Sequence, residues 1–122
     1  MTRTFPFRAR GRGVRRLPGE MNKTEAAYAE QLELRRLAGE LLAWWFEPMT
    51  LRMAKRTGYT PDFVVMLPDE RIEFHEVKGF MEDDAAVKLK VCRQQFEWLG
   101  PIVLVRKVAK RDGGGWKLEG ER

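Results

Sequence analysis

Two short apolar segments joined by a turn constrain the fold of this chain more than any other feature. Residues 59–67 (YTPDFVVML) and residues 71–78 (RIEFHEVK) stand on either side of Pro68, Asp69 and Glu70. Segments rich in β-branched and aromatic residues that flank a turn containing proline and aspartate are typical of an antiparallel hairpin. The pattern therefore predicts two adjacent strands.

The position of the turn predicts which side chains face each other across this hairpin. If the turn is centred on Asp69, apolar residues oppose apolar residues along one side, and Asp62 opposes Glu76 at its end. Directly opposed residues project to the same side of a sheet, so the two carboxylates share one face. Lys78 follows Glu76 by two residues and lies on that face as well. His75 falls on the other face, where we interpret it as a structural or surface residue.

An opposed pair of acids on an apolar face is unfavourable unless a positive charge compensates it. The Cβ atoms of such a pair lie roughly 4.5–5.5 Å apart, where like charges repel, and burial adds a desolvation cost. Lys78 supplies one positive charge against the two negative charges of Asp62 and Glu76. A divalent cation held by both carboxylates removes the imbalance, and hard oxygen ligands favour Mg²⁺, with Mn²⁺ as a substitute. The alternative is an ordinary solvated ladder of charges.

Carboxylates that hold Mg²⁺ beside a lysine suit the hydrolysis of a phosphodiester. The ion can activate a bound water, polarise a phosphate oxygen and neutralise developing charge. Lys78 is placed to hold or deprotonate the attacking water, or to stabilise charge on the phosphate oxygens. Tyr59 and Thr60 adjoin the acid pair and are candidates for phosphate contacts.

The distribution of charge indicates a polyanionic partner. The formal net charge is +5; residues 1–20 carry six arginines against one glutamate, whereas residues 21–122 carry 17 basic and 17 acidic side chains. We expect a flexible basic arm over the first range and a single domain over the second, with nucleic acid as the simplest partner. The alternative for the arm is a solubilising tail. The predicted DNA contacts are Arg10, Arg12, Arg15 and Arg16 in the arm and Arg52, Lys55, Arg56, Lys88, Lys90 and Arg93 in the domain.

Composition argues against several classes of site and location. The chain has one cysteine and one histidine, so it offers neither an internal disulfide nor the ligands of a structural zinc site. No apolar run approaches the length that spans a bilayer, and the N-terminal segment lacks the apolar core of a signal peptide. We therefore expect a cytoplasmic protein with no membrane partner.

The rest of the chain predicts helices and strands around the hairpin, in an order typical of an α/β or α+β domain. Thr24 can cap a first helix with Glu25 in its first turn, and residues 43–55 suggest one or two strands interrupted by Pro48. The remaining predicted elements are a helix from residues 82–84 to about Leu99, a buried strand over 102–108 and an edge strand over 116–119.

Taken together, these residues resemble the motif of the PD-(D/E)XK nuclease superfamily. Pro61-Asp62 is followed fourteen residues later by Glu76-Val77-Lys78, and a helix with an acid in its first turn precedes both. The stretches NKTEAAYAEQL, GYTPDFVV and FHEVKGF, followed by a helix bearing lysines, look like the small phage and prophage nucleases of this superfamily. Those proteins are similar in size and layout to archaeal-type Holliday junction resolvases. The resemblance covers residues 22 to about 106.

The resemblance implies a restriction-endonuclease-like fold, in which helices flank a mixed central β-sheet and the acids lie at one edge. It implies that Asp62 and Glu76 ligate Mg²⁺ and that Lys78 serves the attacking water. It also implies that Glu25 completes the metal site, directly or through water. Glu25 can instead be a first-turn acid that interacts favourably with the helix dipole.

The function that the resemblance implies is a Mg²⁺-dependent, structure-selective DNA endonuclease of phage or bacterial type that resolves Holliday junctions, acting in the host cytoplasm if phage-encoded. A homodimer is expected because symmetric nicking of a four-way junction needs two sites. Two alternatives stay open. One is a nuclease with the same site that acts on other branched or duplex DNA, and the other is a non-catalytic nucleic-acid-binding protein on a nuclease scaffold.

Overall fold

The computed structural model of this chain describes residues 19–78 and 83–120, of which residues 83–86 are described by their backbone alone. The predicted basic arm, with Arg10, Arg12, Arg15 and Arg16, lies outside the described residues except for its last two positions. The elements are α1 (Lys23–Leu37), β1 (Ala43–Phe46), β2 (Leu51–Ala54), β3 (Thr57–Tyr59), β4 (Phe63–Met66), β5 (Ile72–Val77), α2 (Asp83–Gln95), β6 (Ile102–Lys107), a 3₁₀ turn (Lys110–Asp112) and β7 (Trp116–Gly120).

Five of the strands form one mixed sheet in the order β1-β4-β5-β6-β7. Only β5 and β6 are parallel, and α2 connects them as a crossover helix, as a parallel pair requires. Strands β2 and β3 form a separate two-stranded hairpin. The predicted mixed central sheet with flanking helices is therefore confirmed at the level of an α+β domain.

Both faces of the sheet are buried, each under one helix. Phe63 and Val65 pack with Tyr28 and other residues of α1, so the face that carries them is the α1 face. Val64 and Phe74 pack on the other side with residues of α2 and of the β2–β3 hairpin, on what is here the α2 face. The sequence predicted one apolar face and placed His75 on the other face, and α1 covers that second face.

Helix α1 begins one residue after Asn22, not at a Thr24 cap. The side chain of Asn22 accepts a hydrogen bond from the backbone N–H of Glu25, and the Glu25 carboxylate accepts one from the backbone N–H of Asn22. This reciprocal capping box satisfies two N–H groups that have no partner within the helix. Thr24 therefore lies inside the first turn, and the predicted cap was wrong by two positions.

The hairpin has the predicted register. Met66 pairs with Ile72, and Phe63 pairs with His75. The segment predicted as one strand over 59–67 is divided, because β3 ends at Tyr59 and β4 begins at Phe63. The second helix ends at Gln95, before the predicted boundary near Leu99. No helix in the described ranges is both long and apolar enough to cross a bilayer.

Candidate active site

The structure brings Asp62 and Glu76 together at the end of the sheet where β5 terminates. Asp62 directly precedes the pair formed by Phe63 and His75, so the register continues to Asp62 opposite Glu76. A carboxylate oxygen of Asp62, Oδ2, accepts a hydrogen bond of 2.9 Å from the backbone N–H of Val77. This bond fixes the Asp62 carboxylate beside the strand that carries Glu76.

The surroundings of Asp62 disfavour its charged form. Burial, and then the negative charge of Glu76, raise the pKa of Asp62 to about 8, with a smaller contribution from Glu25. The Val77 N–H and the Lys78 ammonium act in the opposite direction but do not compensate. When both carboxylates are ionised, the pair therefore carries more negative charge than Lys78 neutralises.

Glu76 is held from two sides. The hydroxyl of Tyr59 donates a 2.7 Å hydrogen bond to Oε1, and the Lys78 ammonium lies 3.1 Å from Oε2. Glu76 is 7% exposed and Tyr59 8%, so both groups are shielded from water. Burial, and then the charge of Glu76, raise the pKa of Tyr59, which keeps its hydroxyl protonated as a donor. Tyr59 thus contacts Glu76, a role that the sequence pattern did not indicate.

Glu25 lies close to this pair but has a structural role as well. It is 4% exposed, and its carboxylate accepts the Asn22 N–H of the capping box at 2.9 Å. Its charge nevertheless raises the pKa of Asp62, which places it within electrostatic reach of the pair. Among the described residues, no three aspartate, glutamate, histidine or cysteine side chains converge as a metal-binding group. The assignment of Glu25 as a metal ligand stays a prediction.

Two convergent carboxylates still fit a magnesium ion. Mg²⁺ is commonly bound in proteins by one or two carboxylates, with water and substrate phosphate oxygens completing its octahedral shell. Of the described residues, Val77 is the hydrogen-bond donor to Asp62, through Oδ2, which leaves Oδ1 for another ligand. The oxygens of Glu76 each retain a second acceptor position beside their present donors.

A second buried polar cluster lies on the α1 face. His75 is fully buried, the Tyr28 hydroxyl lies 2.6 Å from Nδ1, and Glu73 lies 3.0 Å from Nε2. A carboxylate only accepts, so Nε2 of the neutral ring donates to Glu73 and Nδ1 accepts from Tyr28. His75 is therefore a buried structural residue rather than a surface one.

The predicted DNA contacts of the domain border the α2 face. Arg52, Lys55 and Arg56 are exposed on the β2–β3 hairpin, which packs against α2. Lys88 and Lys90 are exposed on α2 itself. The Arg93 guanidinium, by contrast, donates two hydrogen bonds to the carbonyl of Ile102, at 2.9 and 3.2 Å, and so fastens α2 to β6.

Comparison of the chain with models of protein families, with curated proteins and with solved structures gives no match.

Proposed function

We propose that this chain is a Mg²⁺-dependent DNA endonuclease of the PD-(D/E)XK type, with a restriction-endonuclease-like arrangement of its sheet and helices. The observation that carries the proposal is the pairing of the half-buried Asp62 with the buried Glu76, with Lys78 bound to one of the two carboxylates. A purely structural site has no need for two adjacent acids, because their repulsion and burial both oppose folding.

Each residue of the site has a chemical role in this proposal. Asp62 and Glu76 would hold Mg²⁺, which would supply an activated water and stabilise charge on the phosphate. Lys78 is 36% exposed and can reach a water or phosphate oxygen from its position beside Glu76. There it orients the attacking water and stabilises negative charge on the phosphate as the bond breaks. Tyr59 keeps Glu76 in place during the reaction.

The position of the basic residues supports a nucleic acid as the substrate. The cations of the β2–β3 hairpin and of α2 are on elements that cover the same face as Asp62 and Glu76. A phosphodiester backbone bound by them would lie on the side of the sheet that carries the acid pair. Phosphate contacts of this kind position a duplex without selecting a sequence.

Selectivity for a four-way junction, cut by a homodimer, is the finer part of the proposal. It is supported by the resemblance of the sequence motifs to small phage nucleases, which are similar in size and layout to Holliday junction resolvases, and by the need for two symmetric cuts. The β5–α2–β6 unit, which carries Glu76 and Lys78, lies inside the region that this resemblance covers.

The test is cleavage of a labelled four-way junction and of a linear duplex with the same arms, with Mg²⁺ and with a chelator. We expect nicking of the junction that requires Mg²⁺ and is lost in Asp62→Ala, while Asp69→Ala, at the opposite end of the hairpin, cleaves normally. Equal cleavage of the duplex would contradict the proposed junction selectivity but support the proposed nuclease activity. Cleavage by Asp62→Ala, or no cleavage by the unmodified chain, would contradict the proposed nuclease. The alternative of a non-catalytic nucleic-acid-binding protein would then stand.

A further inference from the structure

Three cations form a row across the sheet next to the acid pair. Strand β6 is parallel to β5, and Val77 pairs with Val105. The backbone N–H of Lys78 donates to the Val105 carbonyl at 2.9 Å, so the register continues to Lys78 beside Arg106. Arg106 pairs in turn with Lys117 of β7. We call Lys78, Arg106 and Lys117 the cationic row.

The row lies on the same face as the acid pair. Glu76 pairs with Leu104 on β6, and Lys78 and Arg106 each follow by two residues, which returns them to that face. Neighbouring strands are about 4.8 Å apart, so the row extends roughly 10 Å away from the acid pair across three strands. The side chains of Lys78, Arg106 and Lys117 are 36%, 34% and 68% exposed.

The local sequence concentrates positive charge at this end of the sheet. Residues 106–119 contain five basic and two acidic side chains, a net charge of +3 within a domain whose charges balance overall. Lys107, the last residue of β6, is exposed, and so are Lys110 and Arg111 in the connection between β6 and β7. The connection therefore extends the positive surface of the row beyond the sheet.

One carboxylate partly occupies the row. Oε1 of Glu119 lies 3.8 Å from Nε of Arg106 and 3.5 Å from Nζ of Lys117. Both pairs are long and partly exposed to water, and pairs of this kind contribute little to stability. A phosphate group can therefore displace Glu119 from Arg106 or Lys117 at small cost.

We propose that Arg106 and Lys117 bind the sugar–phosphate backbone of a nucleic acid strand where it continues beyond the acid pair. The inference rests on the proposed function, because it makes the row the extension of that site along the substrate. It assigns binding to residues that the sequence pattern did not indicate. Glu119 competes with the backbone for both cations and limits the affinity.

The test measures binding of a fluorescein-labelled DNA duplex by fluorescence anisotropy, with a chelator present so that no cleavage occurs, over a series of salt concentrations. The variants Arg106→Gln and Lys117→Gln each remove one charge from the row. Arg71→Gln removes one charge at the far end of β5 and is the matched control. Glu119→Gln removes the competing carboxylate, and Glu70→Gln, in the turn before β5, is its control.

We expect each row variant to weaken binding roughly fivefold, as for the loss of one exposed charge contact. We also expect each to reduce the slope of log affinity against log salt by about 0.9, the value for one phosphate contact. Glu119→Gln is expected to strengthen binding, and both controls to remain close to the unmodified chain. Thermal melting of each variant separates weaker binding from loss of the fold, and the more exposed Lys117 gives the cleaner measurement.

Row variants that bind like Arg71→Gln, in a chain that cleaves DNA, would overturn the inference and leave the proposed function intact. A chain that never cleaves DNA but binds it through the row would overturn the proposed function alone. Equal affinity in Glu119→Gln and Glu70→Gln would show that Glu119 does not compete, which contradicts the placement of phosphate between Arg106 and Lys117.

Discussion

His75 and Glu76 are neighbours on β5, but they belong to buried polar clusters on opposite faces of the sheet. On the α1 face, His75 lies between a hydroxyl that donates to it and a carboxylate that accepts from it. On the α2 face, Glu76 lies beside Asp62, a group of the same charge. In the first cluster, the hydrogen-bond donors and acceptors of the folded chain match one another. In the second, two groups of like charge match a cation instead.

This difference separates polar groups that support the fold from groups that are retained for chemistry. A buried hydrogen bond with both partners present contributes modestly to stability, and removing one partner costs more than the bond contributes. Two adjacent buried acids oppose folding until a ligand or a proton neutralises one of them. Changes at the two clusters should therefore have opposite effects on stability, and only those on the α2 face should change catalysis.

A large effect on the rate of cleavage is expected at Lys78. Lys78→Met keeps most of the side-chain length but removes the ammonium that lies beside Glu76. We expect cleavage to slow about a thousandfold, as for the loss of a group that acts on the attacking water or the developing charge. The measurement is single-turnover cleavage at saturating Mg²⁺, with Arg71→Gln as a control for general loss of positive charge. A rate within a few-fold of the unmodified chain would place Lys78 outside the chemistry.

Asp62→Asn should stabilise the chain while abolishing cleavage. The folded state raises the pKa of Asp62 from 3.8 to about 8, so the folded chain holds this proton more tightly than the unfolded chain. Without metal, the contribution of Asp62 to stability is therefore most favourable below about pH 4 and declines as the pH rises toward 8. Asparagine keeps an acceptor for the Val77 N–H and has no charge. We expect a gain of roughly 2–4 kcal/mol in the free energy of unfolding near pH 8.

Chemical denaturation with a chelator, at several pH values, checks this prediction. Asp69→Asn is the control, because hydrogen bonds from Arg71 lower the pKa of Asp69, which reverses the sign of its contribution. Adding Mg²⁺ should stabilise the unmodified chain and narrow its difference from Asp62→Asn. A less stable Asp62→Asn at alkaline pH would show that the acid pair does not oppose folding, and the contrast between the two faces would fail.

Tyr59→Phe tests whether Glu76 must be held in place. The change removes only the hydroxyl that donates to Glu76 at 2.7 Å, so Glu76 keeps Lys78 but loses its other partner. We expect a ten- to hundredfold loss of activity or metal affinity, as for residues that orient a metal ligand. Titration of the cleavage rate with Mg²⁺ distinguishes weaker metal binding from slower chemistry. An unchanged titration would leave Tyr59 with a packing role alone.

The sequence predicted the features of the site that depend on one short turn. A hairpin with a defined turn fixes its own register, which is why the opposition of Asp62 and Glu76 followed from the position of Asp69. The cap of the first helix could also have been predicted from the sequence, since Asn22 and Glu25 have the spacing of a capping box. Thr24 also belongs to the residue types preferred at an N-cap, and the prediction chose it instead of Asn22.

Features that depend on distant segments could not be predicted in the same way. Tyr59 reaches Glu76 because the β2–β3 hairpin packs against α2, and nothing local in the sequence specifies that packing. Arg106 lies beside Lys78 only because the crossover through α2 returns β6 in a particular register. Alternation predicts which residues of a strand share a face, but not the register between strands that a long connection joins.

The smallest effect is expected on the α1 face, at Tyr28. Tyr28→Phe keeps the ring contacts of Tyr28 with Phe63 and Trp116 but removes the donor to His75. We expect a loss of about 1–2 kcal/mol in the free energy of unfolding, because Nδ1 of a buried histidine then has no donor from Tyr28. Cleavage under conditions where the variant is fully folded should be unchanged. A slower reaction without lower stability would mean instead that the contact between Tyr28 and His75 affects the geometry of the acid pair. The effect would then pass through α1, which also carries Glu25.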